Sequence, residues 1–540
     1  MKRCNLILLL ALFAGLVSRA QLVNDGAIIK IQPGAVLFCS GNVENKNAGT
    51  ISNDGKLEVQ GNFLNTATYT TATADDSLIL TGTGNVTLNA GASILSFLHI
   101  NKTSNSNFVT LANSVTIGSK LIYNSGTLST DPVANPYTLT AAAAVPFEFT
   151  AGREIVGRVR RTGWTNGTAR VFNQPNMLVT TNAGTNPTEF TVNMIPQDNA
   201  GDPTLTEREV KRKFGFAQAG GSGFTADIRY PYLDAELNTN TEANLVPWQL
   251  VSAEWNGRLT PVTRDGVANY VSTTGIPAAD LANEWKLADP RYTMNATALL
   301  RGPWNGSSMN TNLNSGGILP LSQPYNTTPF NYTGTESVGA IPNVNVVDWV
   351  LVEFRKPASG LPADAASATI IGRKAGFLLN TGAVVETDGI TPIGVDMSKQ
   401  GAGFMVIRHR NHLGVMSVSL PSNALGTYTN DFRSLANSYK AVGASSDPVM
   451  LLAGGVHYGL WAGDANKSGV VNGTDISAIK NAIAASTTGY VLTDVNISNS
   501  INGTDVSLGK AIIAASGSGS TPGRMRIATT NIPDPLGPEE

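Results

Sequence analysis

The sequence predicts a mainly β, multidomain chain: an N-terminal β-solenoid-like region, two β-sandwich-like domains and a small α-helical module built on a pair of similar loops. Three observations carry that expectation. Only 14% of the 540 residues are charged while 55 are glycine, so long Glu/Lys/Leu helical runs are missing. Short alternating apolar segments recur between Asn-Gly, Asp-Gly and Gly-Thr punctuation, the pattern of strands joined by tight turns. Helical spacing of apolar residues surfaces only behind the paired loops near the C-terminus.

Residues 1–20 read as a secretory signal peptide. Lys2 and Arg3 supply the positive start, and Leu6 to Val17 form an apolar run too short to span a bilayer comfortably. Ser18-Arg19-Ala20 then places small residues where a signal peptidase reads. Cys4 lies in the charged start with no lipobox, which argues against a lipoprotein. No later stretch approaches ~18 uninterrupted apolar residues, so no transmembrane segment is expected in the mature chain. A secreted or cell-surface location follows. The formal charge of −2 becomes −5 when Lys2, Arg3 and Arg19 leave. The densest basic stretch, Glu207 to Lys213, is offset by its own acids, so nucleic acid is a poor candidate partner. Cys39 alone remains in the mature chain, so no internal disulfide can form; it reads as a small buried side chain or, failing that, a reactive thiol.

Residues 21–130 form the solenoid-like region. Leu37–Asn45 resembles Leu57–Asn65, Asn24–Gly26 recurs as Asn53–Gly55, and Ile29–Ala35 is echoed by Val86–Ala92. A period near twenty with Gly/Asn corners is what a solenoid coil requires, because both residues adopt left-handed backbone angles cheaply. A sandwich with similar hairpins is the competing reading. Residues 131–290 carry longer, more aromatic strands, such as Ile155–Arg160 and Phe224–Tyr230, and read as the first sandwich-like domain. Its Trp248, Trp255 and Trp285 are expected as core anchors rather than sugar-stacking platforms. Residues 291–450 read as the second, with strands at Val346–Phe354, Thr369–Arg373, Gly376–Leu379 and Gly403–His409. Gly316 to Gly334, rich in Pro, Asn and Tyr, reads as a long ordered loop or wrapping segment.

Residues 455–516 hold the most specific feature. Asp464–Asp475 and Asp494–Asp505 are 12-residue loops with oxygen-bearing side chains at positions one, three, five and twelve, where an EF-hand-like loop puts its calcium ligands. Apolar residues follow on one helical face in each, Ile476, Ile479 and Ile483, then Val506, Gly509 and Ile513. The pair resembles the dockerin type I module. That resemblance implies Ca2+ held by Asp464, Asn466, Ser468, the Val470 carbonyl and Asp475 in loop one. In loop two it implies Asp494, Asn496, Ser498, the Ser500 carbonyl and Asp505. Val471 and Ile501 would pack the halves together.

Two departures bear on affinity. Ser replaces the usual Asp at position five in both loops, leaving two formal charges per site, and Asn499 replaces the turn glycine of loop two. An Asx-rich loop without metal is the alternative. In the dockerin family positions ten and eleven help select a cohesin, which points to Gly473, Thr474, Gly503 and Thr504 as partner-binding residues. Their near-identity would permit two binding orientations. The module would bind a cohesin-like protein or dock intramolecularly on the preceding β-domain. Residues 517–540, rich in Gly, Ser and Pro, are expected as a flexible tail or a simple clamp.

A looser resemblance covers residues 150 to 515. Gly302–Trp304, Pro320–Tyr325, Val347–Arg355 and Arg408–Gly414 look like the secreted hemagglutinin-like proteins of Bacteroidota. It implies an adhesin-type protein with a glycan or host-surface ligand. The other reading is a scaffold or a cryptic glycoside hydrolase component of an extracellular polysaccharide-degrading system. No Gly-x-Ser-x-Gly elbow, His-Glu-x-x-His or phosphate loop occurs, and no catalytic residue is assigned. Arg408, His409, Arg410 and His412 form the nearest thing to a reactive cluster, yet no third ligand lies close in sequence, and a structural role is expected. Asp348 and Glu353, five positions apart on one strand, should point to opposite faces.

Overall fold

Parallel pairing starts with the first strand of the chain. Leu22–Asp25 lies beside Val43–Lys46, which lies beside Phe63–Asn65, and the ladder continues through Val86–Asn89, Phe108–Leu111 and Thr127–Ser129 to Ile155. This is one face of a β-solenoid of about seven turns. A second face runs from Val36–Cys39 through Lys56–Val59 and Ser77–Leu80 to Ile94–Asn101 and Val115–Ser125. Ile28–Ile31, Thr50–Asn53 and Thr68–Thr71 make a third, shorter face. Side chains alternate in and out along each strand, so Val43, Phe63, Leu88, Val109, Leu128 and Ile155 stack in the interior with no exposed surface. The computed structural model describes residues 21–72, 76–131, 133–196, 209–421, 426–444, 446–515 and 528–533. The signal-peptide reading of residues 1–20 lies outside them.

A ladder of buried amides explains one of the sequence echoes. Asn24 Nδ2 donates to Asn45 Oδ1 (2.9 Å), and Asn45 Nδ2 donates to Asn65 Oδ1 (2.7 Å). An amide both donates and accepts, so identical side chains one coil apart satisfy each other. The match of Leu37–Asn45 to Leu57–Asn65 is a true register, since Leu37 lies beside Leu57 and Asn45 beside Asn65. The other two echoes are not. Asn53 lies beside Ile31 on the third face, whereas Asn24 lies beside Asn45 on the first. Ile29 and Val86 likewise belong to different faces. Cys39 is buried, and its thiol donates to the Asn42 carbonyl (3.5 Å).

The described residues of Met1–Gly201, Lys211–Glu236 and Pro261–Lys286 make one unit. Beyond the solenoid, its pairing turns antiparallel where Ile155–Thr162 meets Glu189–Pro196, which in turn meets Arg212–Ala219. A second antiparallel sheet orders Arg170–Val171, Leu178–Asn182, Thr225–Pro231, Tyr270–Pro277 and Val262–Asp265. Rings of Trp164, Phe172, Phe190, Phe216, Tyr230 and Trp285 pack together in this unit.

The described residues of Asp202–Val210, Leu237–Thr260 and Leu287–Glu540 make the second unit. Its larger sheet orders Val384–Val385, Ile370–Leu379, Val346–Arg355, Phe404–Arg408 and Val415–Met416, all antiparallel. A smaller sheet sets Arg291–Thr297 between Ile393–Asp396 and Thr427–Asp431. Every residue of Val346–Arg355 is buried, which accounts for its near-continuous apolar run and forces partners on Asp348, Glu353 and Arg355. The stretches Thr369–Arg373 and Gly376–Leu379, expected as two strands, are one. Gly316 to Gly334 wraps this core: Tyr325 donates to the Trp349 carbonyl (2.7 Å) and Trp349 Nε1 donates to the Pro320 carbonyl (2.8 Å). Of the expected tryptophan anchors, Trp248 and Trp285 are fully buried. Trp255 is only half-buried, because it lies opposite Leu250 near the tip of a short hairpin.

Helices Gly473–Ala484 and Gly503–Ala515 follow the two loops. From the tail, Ala528–Thr529 pairs antiparallel with Val470–Val471, and Ile532 packs with Ala365, Phe404, Val406 and Met416. These described tail residues thus contact both the loop-one strand and the β-body. No described helix is long and apolar enough to cross a membrane.

Candidate metal centre

The twin loops are wound alike. Their fourth residues, Lys467 and Ile497, have φ of 62° and 54°, and their sixth, Gly469 and Asn499, have 76° and 67°. All four lie in the left-handed region, which Asn tolerates next best after Gly. This winding turns backbone N–H groups onto the first carboxylate. Asp464 Oδ1 accepts from Ser468 (2.9 Å) and Oδ2 from Gly469 (3.0 Å); Asp494 accepts from Ser498 and Asn499, both at 2.9 Å.

The twelfth residue closes each loop at the helix start. Asp475 accepts from the Asn466 and Asn472 amides (3.2 and 2.9 Å), and Asn472 caps the helix in a reciprocal capping box. Asp505 accepts from Val495 (3.0 Å), Asn496 (3.2 Å) and Asn502 (2.9 Å). Ser468 Oγ donates to the Val470 carbonyl and Ser498 Oγ to the Ser500 carbonyl, each at 3.0 Å. The candidate donors of each loop are thus tied by hydrogen bonds to their own loop's backbone.

The electrostatics favour a cation there. Asp464, Asp475, Asp494 and Asp505 are at most 5% exposed, and burial raises all four carboxyls above their usual range. Burial, with Asp475 alongside, pushes Asp464 up to about 7. In loop one Asn466 Oδ1 accepts from Ser468 N–H (3.0 Å), whereas the matching Asn496 Oδ1 is buried without a partner. Paired carboxylates, amide oxygen, hydroxyl and carbonyl fit a hard, oxygen-seeking divalent cation. Among the described residues no group of three His, Cys, Asp or Glu forms a metal site. Each loop has two carboxylates, and its other donors are neutral.

The halves pack as expected at position eight. Val471 joins Ile512, and Ile501 packs against Ile479. Gly509 lets the helices approach closely: a Cβ there would lie 2.5 Å from Ile476 Cδ1, so the Ile476 side chain would have to shift. The buried face of the second helix carries Asp505, Gly509 and Ile512, so Val506 and Ile513, expected on it, flank it instead.

Arg408 to Gly414 proves to be the module's seat. Asp348 Oδ2 accepts from Arg410 Nε (2.8 Å) and His409 Nε2 (3.2 Å), while its Oδ1 accepts from Tyr490 of the module (2.6 Å). Burial alone would raise the Asp348 carboxyl; Arg410, His409 and Tyr490 outweigh it and hold the group below its usual range. Arg410 also donates to the Val491 carbonyl and stacks on the Tyr490 ring at 4.2 Å. Gly302 N–H donates to His412 Nε2 (3.1 Å), so His412 carries its proton on Nδ1, facing His409 Nδ1 (3.1 Å) and Asn411 Oδ1 (2.9 Å). His409 spends its own proton on Asp348. Both imidazoles are held neutral by burial and consumed in this chain, which leaves neither a lone pair for a metal.

Glu353 pairs with Arg355 (2.7 Å) and Arg408 (3.4 Å). Asp348 and Glu353 are therefore each tied to arginine. Sequence reasoning missed Asp348, Asn411 and Tyr490 as a seat. The available signal was a carboxylate inside an apolar run, which must find a partner when buried.

No curated protein and no solved structure matches the chain. The region that carries both loops and both helices does match a known family: residues 462–520 match the Dockerin type I domain.

Proposed function

We propose that this protein is an exported adhesin-type binding protein, secreted or held at the cell surface, whose calcium-stabilised dockerin module joins it to a cohesin-like partner. The supporting observation is the exposure of Gly473, Thr474, Gly503 and Thr504 while the carboxylates beneath them are buried. Both Gly-Thr pairs open a helix, and each stays free although the module is seated on its own β-body. Asp464, Asn466, Ser468, Val470 and Asp475 hold one Ca2+; Asp494, Asn496, Ser498, Ser500 and Asp505 hold the other. The ions neutralise the facing carboxylates and fix the loops. With two carboxylates per loop, the affinities belong at the weak, extracellular end of the EF-hand-like range.

The solenoid serves as a spacer or display surface and the β-sheets as the recognition body, in keeping with the hemagglutinin-like resemblance of residues 150 to 515. A glycan or host-surface molecule is the ligand class. The test uses the full chain as bait for cohesin domains, with and without chelator. Calcium-dependent capture is expected, and loss of capture when Thr474 and Thr504 are both changed to Asp. No capture of any cohesin domain rejects the assembly role. Glycan-array binding without hydrolysis supports the adhesin reading; release of reducing sugar points to a polysaccharide-degrading component instead.

A further inference from the structure

The dockerin module has no linker. Residues 459–465, which join the last short strand of the β-body to loop one, are all buried. Trp461 packs with Leu413, Val471 and Ile512, and its Nε1 donates to the Asp447 carbonyl (2.8 Å). Leu460 pairs with Leu300 of the body. A module tethered for mobile capture would instead leave an exposed, polar connection.

One body residue touches the start of both loops. Asn411 is fully buried. Its carbonyl accepts the N–H groups of Gly463 (3.1 Å) and Asp464 (3.2 Å). Its side-chain amide donates to the carbonyls of Leu492 (3.0 Å) and Asp494 (2.8 Å). Asp464 and Asp494 are the first ligand positions of the two loops, so a single side chain and its own peptide set the spacing between them.

Loop two is held further. Ile497 is fully buried within the apolar cluster that also contains Trp349, Phe377 and Tyr325. Two body glycines make room for the loop: a Cβ on Gly302 would lie 2.1 Å from the Val495 carbonyl, and one on Gly316 would lie 2.4 Å from the side-chain Nδ2 of Asn499.

We infer that the β-body is a built-in outer layer of the calcium centre, with Asn411 as the positioning residue for both loops. Calcium binding and seating of the module are then one linked equilibrium. The inference rests on the calcium reading above. A cation that binds only the seated form stabilises the seat, and by reciprocity the seat strengthens cation binding. Residues that orient metal ligands from outside the ligand set typically contribute 10–100-fold in affinity.

The test is calcium titration of the chelator-treated full chain by calorimetry, at a temperature where each variant is folded by circular dichroism. Wild type should take up two ions. Asn411→Ala removes the side-chain bonds to the Leu492 and Asp494 carbonyls and should weaken loop two by about tenfold or more, the range for such outer residues, whereas loop one, held through the Asn411 carbonyl that alanine retains, should change less. Tyr490→Phe keeps the ring on Arg410, loses only the bond to Asp348, and should weaken loop two alone by a smaller factor. Hydrogen exchange supplies a second readout: chelation of wild type should open residues 459–465, which a merely attached module would leave protected. Two bound ions with unchanged affinities in Asn411→Ala overturn the inference and leave the calcium reading intact. If Asn411→Ala does not fold, unchanged loop-two affinity in Tyr490→Phe overturns it equally. A wild-type chain that binds no calcium overturns the calcium reading, and the inference with it.

Discussion

Loop one and loop two share their donor positions, their backbone winding and their Gly-Thr helix starts, yet they meet the β-body through different chemistry. The difference sits at position four. Lys467 reaches over the Phe330 ring at 5.6 Å with its side chain half-buried, whereas Ile497 is driven completely into the body's core. A β-branched residue at φ 54° costs about 1–2 kcal/mol in the left-handed region. Burying an Ile side chain returns about 1.5–3 kcal/mol, so the plug outweighs its strain. Two loops that are nearly interchangeable as candidate metal sites are therefore unequal as anchors.

Calcium removal is the largest expected effect and should treat the loops alike. At a thousandfold excess over Kd, each ion contributes about 4 kcal/mol of stability. Asp464→Ala with Asp475→Ala should abolish one of two calcium-dependent increments in melting temperature, and Asp494→Ala with Asp505→Ala the other. An unchanged melting temperature between chelator and millimolar calcium rejects both sites.

Position four should then break the symmetry. With calcium saturating, Ile497→Ala should cost about 2–4 kcal/mol in urea unfolding, as large-to-small core changes do. Lys467→Ala should cost less than about 1 kcal/mol, since it removes only a partly exposed cation–π contact. Equal costs would mean that the loops are anchored equivalently.

Acid sharpens the comparison from the side of the seat. Asp348 is held below its usual carboxyl range in the folded chain, so its stabilisation is fully present above the ordinary carboxylate pKa near 4 and is lost as pH falls below it. Tyr490 fluorescence or exchange should report release of the loop-two side first, and Asp348→Asn should remove most of that acid dependence.

Position six carries the smallest effects, of opposite sign. Gly469→Ala places a Cβ at φ 76° and should destabilise by about 1 kcal/mol, while Asn499→Gly relieves φ 67° and should stabilise by a few tenths. Thermal unfolding with calcium present resolves both.

Much of this was legible in the primary structure. The matching windings of the two loops, the Asn499 turn and the packing of Val471 and Ile501 depend on contacts within about a dozen residues or on a recognisable repeat. The solenoid was legible through the register of Leu37–Asn45 on Leu57–Asn65. Two other echoes misled, because coil lengths vary: the Asn ladder steps by 21 residues and then by 20, and the next bond, Asn65 to the Ala90 carbonyl, spans 25. Composition matches cannot see which face a strand joins. Trp255 was misjudged for a related reason, since strand alternation does not report where a hairpin runs out of core.

The sequence by itself determined which oxygen donors stand at the candidate ligand positions and where each helix starts, because donor spacing and helix starts are local properties of twelve-residue loops. Only the tertiary structure decided where the module rests. Asp348 and Tyr490 lie 142 positions apart, and Asn411 and Asp494 lie 83 apart. Their contacts arise from burial, which makes an unpaired carboxylate or amide costly and so selects the one packing in which each finds its partner.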